Sequence, residues 1–101
     1  MVNSGGIKYS LSQLERRCEK ILTSLFPVAA FYFWYEEDEE LGQKIILLLE
    51  SSIHIDASSV RQALGSELDK FEMPKEIYQV PEFSRTDTGK VKKKETFDTR
   101  V

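Results

Sequence analysis

In "VAAFYFWYEEDEELGQKIILLLE", residues 28–50, two apolar runs flank an acidic one. The first run, residues 28–36, is rich in aromatic side chains, is too short for a typical buried helix, and is bounded by Pro27 and the acids. It reads as a strand. The acids of "EEDEELG" repel one another and suit a connecting loop, after which "QKIILLLE" reads as a second strand. The simplest pairing is an antiparallel hairpin. Neither run alternates cleanly between apolar and polar, which implies that helices or a partner cover much of both faces.

On the N-terminal side, "NSGG" reads as a turn or flexible lead-in and "IKYS" as a short strand. Ser10 and Gln13 have the spacing of a helix capping box. Leu11, Leu14, Cys18, Ile21, Leu22 and Leu25 then recur at steps of three and four, so a helix should bury that stripe and end before Pro27. On the C-terminal side, Asp56 and Ser58 are candidate caps for a second helix. Val60, Leu64, Leu68 and Phe71 extend its apolar stripe until Met73 and Pro74 terminate it. "KEIYQV" reads as a third strand, and residues 92–101 are polar enough to fray. The expected architecture is α+β: a small antiparallel sheet of about three strands plus a short hairpin, flanked by helices.

A length of 101 residues fits one domain, and 41% hydrophobic content suffices for a core. Charge is unevenly spread. Residues 1–35 balance at +2; residues 36–82 hold twelve acids against four bases, −8; residues 83–101 hold six bases against three acids, +3. A basic end beside an acidic middle favours an anion near that end, while a net charge of −3 argues against general nucleic-acid binding. The single cysteine, Cys18, excludes an internal disulfide and a thiolate metal cluster, and no metal site is expected. No apolar run approaches the roughly 20 residues needed to span a bilayer, and no signal-peptide pattern opens the chain. A cytoplasmic protein without membrane association is the expectation.

The basic end contains "SRTDTGKVKKKE", residues 84–95, in which Gly89 precedes Lys90 among hydroxyl side chains. These are ingredients for holding a phosphate or carboxylate oxygen. A P-loop is rejected, because Ser84 stands where its first glycine is needed and Val91 follows the lysine in place of Ser or Thr. By itself the motif is equally compatible with a glycine turn and solvated lysines.

Taken in order, "NSGGIKYSLSQLE", strand, acidic turn with Gly42, strand, helix, "FEMPKEIYQVPEF" and "RTDTGKVKKKE" resemble the C-terminal domain of the adenylate-forming superfamily, which includes acyl- and aryl-CoA synthetases. The resemblance spans residues 1–101 as a single lid domain. Within the superfamily, "VNSGGIK", "MPKEIY" and "TDTGK" most resemble the o-succinylbenzoate-CoA ligases of menaquinone synthesis. In such enzymes a carboxylate attacks the α-phosphate of ATP to give an acyl-adenylate and pyrophosphate, and a thiol, often that of CoA, then displaces AMP. The resemblance implies that Lys90 is the catalytic cation of the first step. Gly89 would let its loop approach the ligand, and Thr86 and Thr88 would shape the turn. Gly5 and Gly6 would border the thiol path in the second step, after the lid rotates, while Lys8 would either border the cofactor or simply end a strand.

The same resemblance implies ATP, accompanied by Mg2+, and CoA as ligands of a complete enzyme. Its partner would be a large N-terminal domain that binds ATP and the acid, absent from this sequence, and the isolated lid should be inactive. Three departures stand out: Ser84 where the family has proline, Gln43 after Gly42 where it has glutamate, and Leu11 where proline is frequent. The competing expectation is a stand-alone module that uses the basic end to bind a nucleotide, CoA or an acidic protein. A third, RNA stacking on Phe31, Phe33, Trp34 and Tyr35, conflicts with the acids at 36–40 and the lack of interleaved bases. His54 lacks a second histidine or carboxylate cluster beside it, and Lys92, Lys93 and Lys94 read as surface charge that could steer phosphates.

Overall fold

The computed structural model describes residues 2–99. Its elements are β1 (Val2–Ser4), β2 (Ile7–Tyr9), α1 (Leu11–Leu25), β3 (Ala30–Asp38), β4 (Gly42–Glu50), α2 (Ala57–Leu64), β5 (Glu76–Val80) and α3 (Lys93–Asp98). They form a five-stranded sheet flanked by helices, the α+β arrangement expected.

The central hairpin forms over its full length, with Ala30 opposite Glu50 and Asp38 opposite Gly42. The acidic run is mostly strand rather than loop, because Asp38 Oδ2 accepts the N–H groups of Glu40 (3.1 Å) and Leu41 (2.8 Å) and closes the turn within three residues. Glu36 and Glu37 therefore sit in strand pairs, facing Lys44 and Gln43.

β4 explains the missing alternation. Residues 45–50 are buried on both faces. Ile45, Leu47 and Leu49 join Phe33 and the inner faces of α1 and α2, including Leu14, Cys18, Leu22, Val60 and Leu64. Ile46 and Leu48 point the other way, into a second cluster with Tyr32, Val80 and Phe83, closed by Val91 and Phe97. The sheet is thus covered by two helices on one side and by the C-terminal segment on the other.

α1 begins where the capping pattern placed it, the Ser10 hydroxyl accepting the Gln13 N–H at 3.4 Å. It ends at Leu25, two residues before Pro27. α2 is shorter than its stripe suggests. It stops at Gly65, and Asp69 Oδ1 then takes the N–H groups of Phe71 (2.8 Å) and Glu72 (2.9 Å), replacing helix with a side-chain-capped turn. Leu68 remains buried through that turn, whereas Phe71 is 57% exposed, so the continued apolar spacing did not mean continued helix.

The α2 connection returns the chain to the start of β4, so β5 runs parallel to it, with Ile46 beside Glu76 and Glu50 beside Val80. This is the one parallel pairing among the described residues. Residues 2–4 form a strand rather than a lead-in, paired with β2 across a two-glycine turn. The expected fraying of the C-terminal segment does not extend to residues 93–98, where α3 forms. Thr96, 1% exposed, and Phe97, packed edge-on to Tyr78, dock it. Residues 100 and 101 of that expectation lie outside the described residues.

Candidate functional site

Residues 84–92 form a small hairpin standing off the second face of the sheet. Arg85 and Val91 make an antiparallel bridge. Above it, the Thr86 N–H donates to the Lys90 carbonyl (2.8 Å) and the Gly89 N–H to the Thr86 carbonyl (2.9 Å). The turn requires a positive φ of 87° at Gly89, which explains glycine at that position. The Thr86 hydroxyl accepts the Lys90 N–H (3.2 Å) and lies 3.0 Å from the Thr88 hydroxyl. Both threonine hydroxyls thus lie inside the turn.

Below the bridge the hairpin is clamped to β4. Arg85 donates from both guanidinium nitrogens to Glu50, at 2.7 and 2.6 Å, and the Phe83 N–H donates to the same carboxylate at 2.7 Å. The Arg85 hydrogen bonds hold the Glu50 carboxyl below its ordinary pKa, against the opposing pull of burial, with help from the Phe83 N–H. The other leg is fixed by Lys92 N–H to the Ser84 carbonyl (2.7 Å) and Ser84 N–H to the Thr96 hydroxyl (3.0 Å). Ser84 has the free N–H that a proline would lack, and the structure uses it. Sequence reasoning missed Glu50; the only available signal was a lone acid closing the apolar run "IILLLE".

The lysines of the basic end differ in their surroundings. Lys92 pairs with Glu95 (3.5 Å), Lys94 with Asp98 (3.9 Å), and the Lys93 ammonium lies 5.9 Å from the Tyr32 ring centre. Lys90 is exposed at the end of the turn, and its ammonium has no partner among the described residues. Lys90 is therefore the cation of this hairpin without a carboxylate partner among the described residues, since the Arg85 guanidinium is held by Glu50 and Lys92 pairs with Glu95.

The second glycine pair lies elsewhere. Gly5 and Gly6, at φ of 59° and 83°, form the tight turn between β1 and β2. The Gly5 N–H donates to the Leu41 carbonyl (3.0 Å), and Ser4 pairs with Gly42. Gln43 Oε1 accepts the Asn3 N–H at 3.1 Å, so the amide at this position serves as an acceptor as a carboxylate could. Lys8 is exposed opposite Asn3. A cleft of about 150 Å³ beside the turn is lined by Gly5, Ile7, Tyr9, Leu41, Phe71 and Lys75. The structure does not bring Gly5, Gly6 and Lys8 together with Lys90. β1 meets the first residue of β4 and the Lys90 hairpin is clamped to the last, eight residues or about 26 Å away.

Other reactive groups are poorly placed for chemistry. Cys18 is fully buried, and burial pushes its thiol up to about 11. His54 is exposed in the segment before α2. Among the described residues no cluster of His, Cys, Asp or Glu could hold a metal ion, and no helix is long and apolar enough to cross a membrane.

No protein-family model and no curated protein matches the chain. Solved structures do. An acyl-CoA synthetase (AMP-forming)/AMP-acid ligase II-like protein from Dyadobacter fermentans is 33% identical over 96% of the chain, with a TM-score of 0.85. ATP-bound MatB from Rhodopseudomonas palustris is 22% identical over 98%, at 0.81. A double mutant of o-succinylbenzoate CoA synthetase (MenE) from Bacillus subtilis, bound to its product analogue, is 22% identical over 98%, at 0.74. The fold is that of the C-terminal domain of acyl-CoA synthetases. The chain spans only 28% of the Dyadobacter protein, 19% of MatB and 20% of MenE.

Proposed function

We propose that this chain is the mobile C-terminal domain of an ATP-dependent carboxylic acid-CoA ligase, with Lys90 as the cation of its first half-reaction. The observation that carries the reading is the braced hairpin, which leaves the Lys90 ammonium exposed while the neighbouring Arg85, Lys92 and Lys94 are engaged by carboxylates. The 33% identity to an AMP-forming synthetase over 96% of the chain supports it.

In this role the hairpin closes on a large N-terminal domain that holds ATP, with Mg2+, and the acid. As the carboxylate attacks the α-phosphate, negative charge grows between them, and Lys90 neutralises it from a position prepared before the reaction begins. The acyl-adenylate and pyrophosphate result. The domain then turns, the Gly5–Gly6 hairpin borders the path of the CoA thiol, and the thiol displaces AMP. The anchoring of the two glycine loops at opposite ends of β4, roughly 26 Å apart along the strand, suits a domain that uses one end per half-reaction. Gly6 suits the close approach, since a Cβ there would meet nothing within the domain, so its bare surface is available to a ligand. Lys8 is a second cation near that path. The acid proposed for the first assay is o-succinylbenzoate, on the strength of the "VNSGGIK", "MPKEIY" and "TDTGK" stretches.

The test joins this domain to its large domain and follows pyrophosphate release with ATP and o-succinylbenzoate, then with other carboxylic acids. Lys90→Ala should slow adenylate formation by roughly a hundredfold or more, the usual scale for one preorganised electrostatic group. Thioester formation from preformed adenylate should persist. Equal loss in both half-reactions would remove Lys90 from the assigned role, and release with another acid alone would reassign the substrate.

A further inference from the structure

Lys90 can neutralise charge only if its hairpin points it at one place, and that direction is held at the base, by Glu50, by the Ser84 N–H on the Thr96 hydroxyl and by Val91 packed on the second cluster. Its turn hydrogen bonds are internal, linking Thr86, Gly89 and Lys90 to one another. They set the shape of the tip but not its orientation relative to the sheet. Orientation comes from the base, where the strongest link is the pair of short hydrogen bonds from Arg85 to Glu50, with Phe83 N–H on the same carboxylate.

The choice of glutamate at position 50 is not explained by packing. Its side chain is only 8% exposed, and the five preceding residues of β4 are all aliphatic. Burying a carboxylate is unfavourable unless it is paired, and an apolar side chain would fill such a site with less penalty. What a carboxylate provides is a two-oxygen acceptor matched to the planar guanidinium fork, which fixes both distance and angle. Glu50 closes the most buried strand of the sheet, so the direction it imposes on Arg85 is referenced to the rigid centre of the domain.

We infer that Glu50 is a positioning residue for Lys90, acting through its two-pronged hydrogen bond to Arg85 to set where the hairpin presents the ammonium. This rests on the reading of Lys90 as the cation of adenylate formation, but its structural half can be tested without any chemistry. Glu50 does not touch substrate. The same contact withdraws Arg85 from ligand binding, so that Arg85 anchors the hairpin while Lys90 acts.

The first arm measures amide hydrogen exchange in this chain. In Glu50→Gln, which keeps an acceptor for the Phe83 N–H but loses the charge and the second strong acceptor, Ser84 and Lys92, whose N–H groups are bonded at the hairpin's base, should exchange roughly tenfold faster, as loss of a charge-assisted bond implies. Leu47 and Leu48, at the centre of β4, should keep their protection. Should Glu50→Gln fail to fold, Arg85→Lys gives the same reading, because it keeps the charge and loses the fork. Unchanged exchange at Ser84 and Lys92 in the folded variant overturns the inference.

The second arm uses the complete ligase. Glu50→Gln should lower kcat for adenylate formation by roughly ten- to a hundredfold, the penalty of a small misplacement of a catalytic group. The KM for ATP and thioester formation from preformed adenylate should change little. Parallel loss of both half-reactions would reduce Glu50 to a stability residue and overturn its positioning role. If Lys90→Ala leaves adenylate formation intact while Glu50→Gln still loosens the hairpin, the assignment of Lys90 fails and the positioning role fails with it, leaving only a structural anchor.

Discussion

Gly42 and Glu50 stand at the two ends of one strand, and each fixes one of the glycine loops: Gly42 pairs with Ser4 beside the Gly5–Gly6 turn, and Glu50 grips Arg85 below Gly89. β4 is therefore the ruler that separates the two candidate sites. It is also the most deeply packed element, so both loops are referenced to the core.

The two loops should be replaceable at a purely conformational penalty. Nothing lies within 4 Å of a Cβ built on Gly6 or Gly89, so alanine there meets no clash and pays only for its positive φ. Each of Gly6→Ala and Gly89→Ala should lose about 1 kcal/mol in urea unfolding. A loss several times larger at either position would mean that the turn supports more of the fold than its contacts indicate.

Phe33 lies at the middle of the larger core cluster with no exposed surface, facing Leu47 across the hairpin. Phe33→Ala should destabilise by about 3–5 kcal/mol. That is a large share of the stability of a domain this size, so the variant should be substantially unfolded well below the wild-type urea midpoint. A midpoint within experimental error of wild type would contradict the packing described.

Acid should weaken the fold through two carboxylates. Arg85 holds Glu50, and Arg17 holds Glu72, below the ordinary value of 4.5, in each case chiefly by side-chain hydrogen bonds. A depressed folded pKa means that the stabilisation is complete above 4.5 and is lost as pH falls through the lower folded values. The two arginines are similarly exposed, but Glu72 is 20% exposed against 8% for Glu50, so the Glu72 pair is the more screened by solvent. Glu50→Gln should therefore flatten the fall of melting temperature below pH 4.5 more than Glu72→Gln does. The reverse order, or no flattening in either, would refute this account.

Cys18 should report on global unfolding. With its thiol buried and pushed up to about 11, it should resist alkylation at pH 8 in the native state. Its modification rate should rise with urea along the same curve as loss of secondary structure. Rapid labelling in the absence of denaturant would show that α1 opens independently of the sheet.

Much of this was legible from local pattern. The stripe from Leu11 to Leu25 with its Ser10 cap, the stop before Pro27, and the strand character of 30–36 and 43–50 all follow from periodicity, capping and proline geometry, which act within a few residues, although the strand begins two residues later than its apolar run. The glycine-lysine turn was equally visible, because a positive φ at Gly89 is a demand of the turn itself. Errors arose where a distant contact overruled the local signal. The stripe through Leu68 and Phe71 is satisfied at Leu68 by a buried turn, once Gly65 and Asp69 end the helix. Residues 93–98 are too polar to fold unaided, and they form α3 because Thr96 meets Ser84, Phe97 meets Tyr78 of β5, and the Lys93 carbonyl accepts from Tyr32 of β3.

The sequence by itself therefore determined α1 and the start of α2 with their caps, the two long strands and the glycine turn of the exposed hairpin, since those depend on neighbours along the chain. Only the tertiary structure decided that β5 lies parallel to β4, that the two glycine loops fall at opposite ends of one strand, and that Glu50 meets Arg85. Those relationships join residues tens of positions apart, and which pairs meet is chosen by the packing of the whole core.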